Sequence, residues 1–116
     1  MAKSRALRYG RAMQDDSLVA AQDCTTMTEV RAGIDALDAQ IVTLLARRMR
    51  YIEAAARIKP SRDTVRDEWR KAQVIDHAAD VARAHDFPEA LVRAVYEVLV
   101  EGSIAHEFVR FDARDS

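Results

Sequence analysis

Two cations, Arg48 and Lys59, interrupt an otherwise apolar row. From Val30, in steps of three and four, the row runs Ile34, Leu37, Ile41 and Leu44. It then meets Arg48 and continues through Ile52 and Ala55 to Lys59. Lys59 follows Arg48 by eleven residues, which on a helix is a rotation of about 20°, so the two share a face, with an axial gap of about 16 Å. Two long basic side chains leaning together across that gap leave room for a small anionic molecule. The plainer alternative is that both snorkel, burying their stems and keeping their heads in water. Arg47, Arg50 and Arg57 fall off the row and read as solvated charges. Arg31 lies about 25 Å before Arg48 along the axis, too far to grip the same small ligand. An antiparallel pairing of this helix with its own copy, about a midpoint near position 42, brings the copy's Arg31 level with about position 53. A symmetric dimer then closes two equivalent sites, each using both chains. Farther on, Ser103 and Glu107 are one helical turn apart and stand one above the other; the alternative for them is a solvated polar edge. Asp67 and Arg70 are spaced to pair with each other.

The elements that must carry these residues are helical. A first helix is expected from Thr28, its N-cap, to Ile58, where Pro60 ends it. At about 45 Å it is long for so small a chain and must bury its stripe along most of its length. A second helix is expected from near Thr64 to near His85, with Thr64 and Asp67 as a capping box. Its inner side is read as Val65, Trp69, Ala72, Ile75 or Asp76, Ala79 and Ala82, with Trp69 as a packing anchor. Asp86-Phe87-Pro88 resets the chain, and Pro88 suits the first turn of a third helix. That helix carries Leu91, Val95, Leu99, Ile104 and Phe108 and runs to about Phe111. The fold class is all-α: one long N-terminal helix plus two shorter ones.

Composition agrees. The chain of 116 residues is 49% hydrophobic and 32% charged, the make-up of a globular domain. Eighteen basic against nineteen acidic residues leave a net charge of -1, which argues against bulk nucleic-acid or membrane-surface binding. Three Gly and two Pro supply little turn chemistry for an all-β fold, and the single cysteine, Cys24, excludes an intramolecular disulfide framework. His77, His85 and His106 match no metal spacing and read as surface residues. The basic start (Lys3, Arg5, Arg8, Arg11) is followed only by a short apolar stretch, Leu18 to Ala21, hemmed by Asp15, Asp16 and Asp23. That is no signal peptide. Residues 1–24 are therefore expected to be a mobile extension, and 25–116 the helical domain, of a cytoplasmic protein.

Five segments follow in order: Arg31-x-x-Ile34-Asp35-x-Leu37-Asp38; Leu44-Leu45-Ala46-Arg47-Arg48; Ala54-Ala55-Ala56-Arg57-Ile58-Lys59; Val65-Arg66-Asp67 with Arg70; and Ser103-Ile104-Ala105-His106-Glu107. In this joint spacing, over about residues 28–111, the chain resembles the AroQ-type, all-helical chorismate mutases. The stretch from Arg47 to Lys59 also resembles the isochorismate pyruvate lyase branch of the same fold. The resemblance implies an intertwined homodimer with sites shared between chains, and the conversion of chorismate to prephenate in aromatic amino acid biosynthesis. It implies no cofactor, no metal, and no nucleic-acid or membrane partner. Carried over by position, Arg48, Lys59 and Glu107 are the catalytic residues, while Arg31 from the second copy, Asp67, Arg70 and Ser103 bind substrate. Lys71 departs from the pattern, standing where bacterial mutases often place a Glu that meets the substrate hydroxyl. Gly102 loosens the third helix beside Ser103, at about 1 kcal/mol relative to Ala. Ser103 favours mutase over lyase, since the lyase branch carries a bulky residue there. The other readings are the lyase itself and a non-catalytic helical dimer module.

A pericyclic rearrangement needs no nucleophile, metal or proton shuttle, only a folded substrate and charge stabilisation. Lys59 is expected to donate to the ether oxygen as its bond breaks. A protonated Glu107 helps there and a carboxylate opposes, so activity should fall as Glu107 loses its proton.

Overall fold

Thr26 and Glu29 begin the first helix with a reciprocal capping box. Thr26 Oγ1 accepts from the Glu29 N–H at 3.2 Å, and Glu29 Oε1 accepts from the N–H groups of Thr26 and Thr25 at 3.1 and 2.8 Å. The cap is thus Thr26 rather than Thr28. The computed structural model describes residues 18–114; most of the expected extension, residues 1–17, lies outside the described residues. Among the latter the chain is helical throughout, without strands: α1 spans Met27–Ile58, α2 Glu68–Ala84 and α3 Glu89–Ala113, with single 3-10 turns at Ala21–Asp23 and Arg62–Thr64. The expected pattern of one long helix and two shorter ones is what is found. No helix of the described residues is long and apolar enough to cross a membrane.

The chain divides into two units, Met1–Arg48 and Met49–Ser116. In the described part of the first, no residue is buried. Ile34, Leu37 and Ile41 are 51%, 44% and 52% exposed, so the apolar stripe that periodicity marks is present but open to water. Ahead of the helix, the Cys24 thiol faces the Val19 carbonyl at 3.7 Å.

In the second unit α2 and α3 form an antiparallel hairpin. Its direction follows from ion pairs that march away from the turn: Arg83 with Glu89 at 2.7 Å, Arg93 with Asp76 at 3.0 Å, Lys71 with Glu97 at 2.5 Å. Buried Ala79 and Ala82 carry almost no side-chain bulk, which suits close helix packing. The core joins Ala56, Val65, Val100, Ile104 and Phe111. The hairpin turn is a Schellman motif: the Phe87 N–H reaches Ala82 O at 2.8 Å and the Asp86 N–H reaches Arg83 O at 3.3 Å. Asp86 takes the left-handed position with φ 53°.

Three expectations are corrected here. The helix after Pro60 starts at Glu68 with Asp67 as its N-cap; Thr64 instead donates to Ser61 O at 2.6 Å within the 3-10 turn. Trp69, expected to anchor packing, is 73% exposed, and Leu91 and Val95 are exposed as well. Of the expected row Ile104 is buried and Leu99 and Phe108 are half-buried; the inner face of α3 is Val100, Ser103, Ile104, Glu107 and Phe111, turned by about one residue from the row that hydropathy favours in its first half. Pro88 sits just ahead of α3, at its N-cap position.

Candidate active site

Lys59 stands one residue beyond α1. Its N–H still donates to Ala55 O at 2.9 Å, so the helical ladder sets its direction, and Pro60 then stops the helix. Its ammonium lies 2.7 Å from Glu107 Oε2 and donates to Val65 O at 3.1 Å. The Lys59 side chain is 28% exposed and that of Glu107 only 5%. Apart from that ammonium, no hydrogen-bond donor among the described residues meets Glu107 Oε2. A carboxylate withdrawn from water costs several kcal/mol unless its lone pairs are satisfied. One ammonium offsets only part of that, and the pair remains responsive to any new charge or donor entering beside it.

Ser103 is buried one turn before Glu107 on the same face, with its hydroxyl donating to Leu99 O at 2.7 Å. The solvated-edge alternative for Ser103 and Glu107 is therefore excluded: both face inward. Asp67 and Arg70 meet, but through the backbone. Asp67 Oδ1 accepts from the Arg70 N–H at 3.0 Å as the α2 cap, while the Arg70 guanidinium donates to Gln73 Oε1 at 2.7 Å. Arg31, exposed, and Arg48, half-buried, belong to the first unit. Of the residues singled out in the sequence, then, the structure brings Lys59 and Glu107 into contact and sets Ser103 on the same buried face.

Lys71 is occupied. It pairs with Glu97 at 2.5 Å and Glu101 at 2.7 Å, and Arg66 holds both oxygens of Glu101 at 2.8 and 3.1 Å. Hydrogen bonds first from Arg66 and then from Lys71 pull the Glu101 carboxyl down to about 2. Lys71 thus ties α2 to α3. A cleft of about 290 Å³ opens beside it, lined by Lys71 and Arg93 together with Glu68, Asp76 and Glu97. Two cations against three carboxylates give this cleft the wrong sign for an anionic ligand. No cluster of three or more His, Cys, Asp or Glu among the described residues is placed to hold a metal ion.

Two contacts escaped sequence reasoning. His106, expected at the surface, is half-buried against Glu53, Nε2 to Oε2 at 2.8 Å. That bond, helped by Arg50, draws the Glu53 carboxyl below its ordinary range. At the end of α3, Arg114 donates to the carbonyls of Ala56, Arg57 and Lys59 at 3.0, 3.4 and 2.7 Å. Neither contact has a local signal, because each joins residues more than 50 positions apart.

The sequence model of one family, chorismate mutase type II, matches residues 30–108. An isochorismate pyruvate lyase from Pseudomonas aeruginosa is similar over 86 residues at 30% identity, covering 74% of this chain and 85% of the relative.

Proposed function

Because this chain belongs to the chorismate mutase type II family, an AroQ-type family of enzymes, we propose that it is a chorismate mutase that converts chorismate to prephenate. The observation that carries this reading is the contact of half-buried Lys59 with buried Glu107, 2.7 Å apart. Chorismate is a dianion, and its rearrangement breaks an ether C–O bond as a C–C bond forms. Two guanidinium groups, Arg48 and Arg31 of a second copy, hold the two carboxylates so that the enolpyruvyl arm lies over the ring, converting orientation into rate. Lys59 donates to the ether oxygen as negative charge grows there, with Glu107 beside it. Ser103, Asp67 and Arg70 line the substrate. In a water-poor site such a preorganised donor is worth far more than in bulk solvent.

A second reading has its own support: the similar protein from Pseudomonas aeruginosa is an isochorismate pyruvate lyase. The same cations would hold isochorismate while pyruvate is eliminated to leave salicylate. Incubating the purified protein with each substrate separates the two. Prephenate from chorismate supports the mutase reading; salicylate and pyruvate from isochorismate, with no prephenate, replaces it by the lyase reading. No turnover of either would leave a non-catalytic helical module. For whichever reaction is found, Arg48→Ala and Lys59→Ala are expected to lower kcat/KM by about 10²–10³ while far-UV circular dichroism stays unchanged. Either variant retaining more than about a tenth of wild-type kcat/KM, a loss below about 1.4 kcal/mol, would defeat the electrostatic account.

A further inference from the structure

We propose that Arg114, at the far end of the chain, is a positioning residue for Lys59. The last carbonyls of any helix have no intrahelical donor. Here the final turn of α1 directly precedes Lys59, so its fraying would move the ammonium itself. Arg114 closes that turn: one guanidinium nitrogen donates to Ala56 O at 3.0 Å, Lys59 O at 2.7 Å and Arg57 O at 3.4 Å. The guanidinium is itself fixed, stacked over the Phe111 ring at 3.8 Å, and Phe111 belongs to the core. Lys59 is thereby clamped at both ends, its carbonyl by Arg114 and its ammonium by Val65 O and Glu107. A cation at the negative end of the helix also offsets the dipole that would otherwise draw the Lys59 ammonium back onto its own helix. Arg62 braces the same connection from the other side, paired with Asp112 at 2.9 Å and set over Phe108 at 4.5 Å. The mixed and chemically different cleft beside Lys71 has no comparable link to the reacting group.

This inference rests on Lys59 being the donor to the ether oxygen, and it is tested in the purified protein with chorismate, or with isochorismate if that is the substrate turned over. Arg114→Ala is expected to lower kcat about tenfold with KM within about twofold, since a small misplacement of a reacting group costs rate rather than affinity. Arg114→Lys, keeping one cationic donor, should recover part of the loss. In a Lys59→Ala background the same change should cost less than about twofold. As a control, Arg83→Ala, which removes a comparably paired arginine, should leave kcat unchanged. Should Arg114→Ala fail to fold by circular dichroism, Arg114→Lys decides: kcat reduced about threefold at constant KM supports the proposal. Wild-type kcat in any folded Arg114 variant, or an equal loss with Lys59 already removed, overturns it. A wild-type chain inert towards both substrates would instead overturn the parent reading, and this one with it.

Discussion

Glu107 shows how one buried side chain couples packing to chemistry. It occupies a core position of α3, between Ile104 and Phe111, where an aliphatic residue would pack better, and its carboxyl group pairs with Lys59. For the proposed rearrangement a hydrogen-bond donor is the useful group here, because an N–H or O–H donates to the charging ether oxygen and a bare carboxylate repels it. Glu107→Gln, whose amide donates, is therefore expected to keep or raise kcat/KM, whereas Glu107→Ala should lower it about tenfold or more. A Gln variant as slow as the Ala variant would remove Glu107 from this role. At this scale much was legible. Helical spacing singled out Arg48 and Lys59, and stacked Ser103 on Glu107; resemblance set Lys59 near Glu107. What spacing left open was whether the Ser103–Glu107 face turns to water or to the core. Burial decides that, and burial is a property of the neighbours.

Helix boundaries were set by hydrogen bonds that compete for similar residues. Thr26 and Thr28 are equally good caps by type, and only the Glu three positions after Thr26 distinguishes them. Thr64 looked like a cap until its hydroxyl was committed to Ser61 O, leaving Asp67 to serve the first free N–H groups of α2. Hydropathy placed Leu91 and Val95 on the inner face of α3, yet the hairpin is locked instead by charges. Arg66, Lys71, Glu97 and Glu101 join α2 and its approach to α3. The network has a pH signature. Glu101 is lowered from an ordinary 4.5 to about 2 by Arg66 and then Lys71; Glu89, bonded to Arg83 and Arg93, and Glu53, bonded to His106, are lowered too. A depressed carboxyl stabilises the fold above its unfolded value, and that stability is lost as pH falls through the folded one. Urea midpoints should thus be steady from pH 7 down to about 4.5 and decline from there towards about 2, less steeply in Glu101→Gln. Because these groups are substantially exposed, added salt should shrink the difference between the two proteins. Parallel curves for wild type and variant at low salt would show that the network adds nothing to acid stability.

For the whole molecule, one chain leaves much of its apolar surface uncovered among the described residues. No large side chain is fully buried among the described residues, and Ile34, Leu37, Ile41 and Val42 lie open along α1. An apolar stripe of that length is what a helix presents to a partner. In the proposed reading the partner is a second copy, whose Arg31 completes the site begun by Arg48. Helical spacing carries this prediction only in conditional form: if α1 pairs antiparallel with its copy about a midpoint near position 42, the copy's Arg31 comes level with about position 53, and the homodimer itself is what the resemblance implies. Mixing two inactive variants tests it. In Arg31→Ala every site lacks one guanidinium, and in Arg48→Ala every site lacks the other. After subunit exchange, half of the dimers should be mixed, and each mixed dimer holds one intact site and one doubly defective site. Activity should then approach about a quarter of wild type, while each variant alone stays near background. Ile41→Asp, which sets a charge on the stripe, should yield monomers by light scattering and abolish the rescue when built into either partner. If sites lie within single chains, no mixture can exceed its more active component, whatever its assembly state.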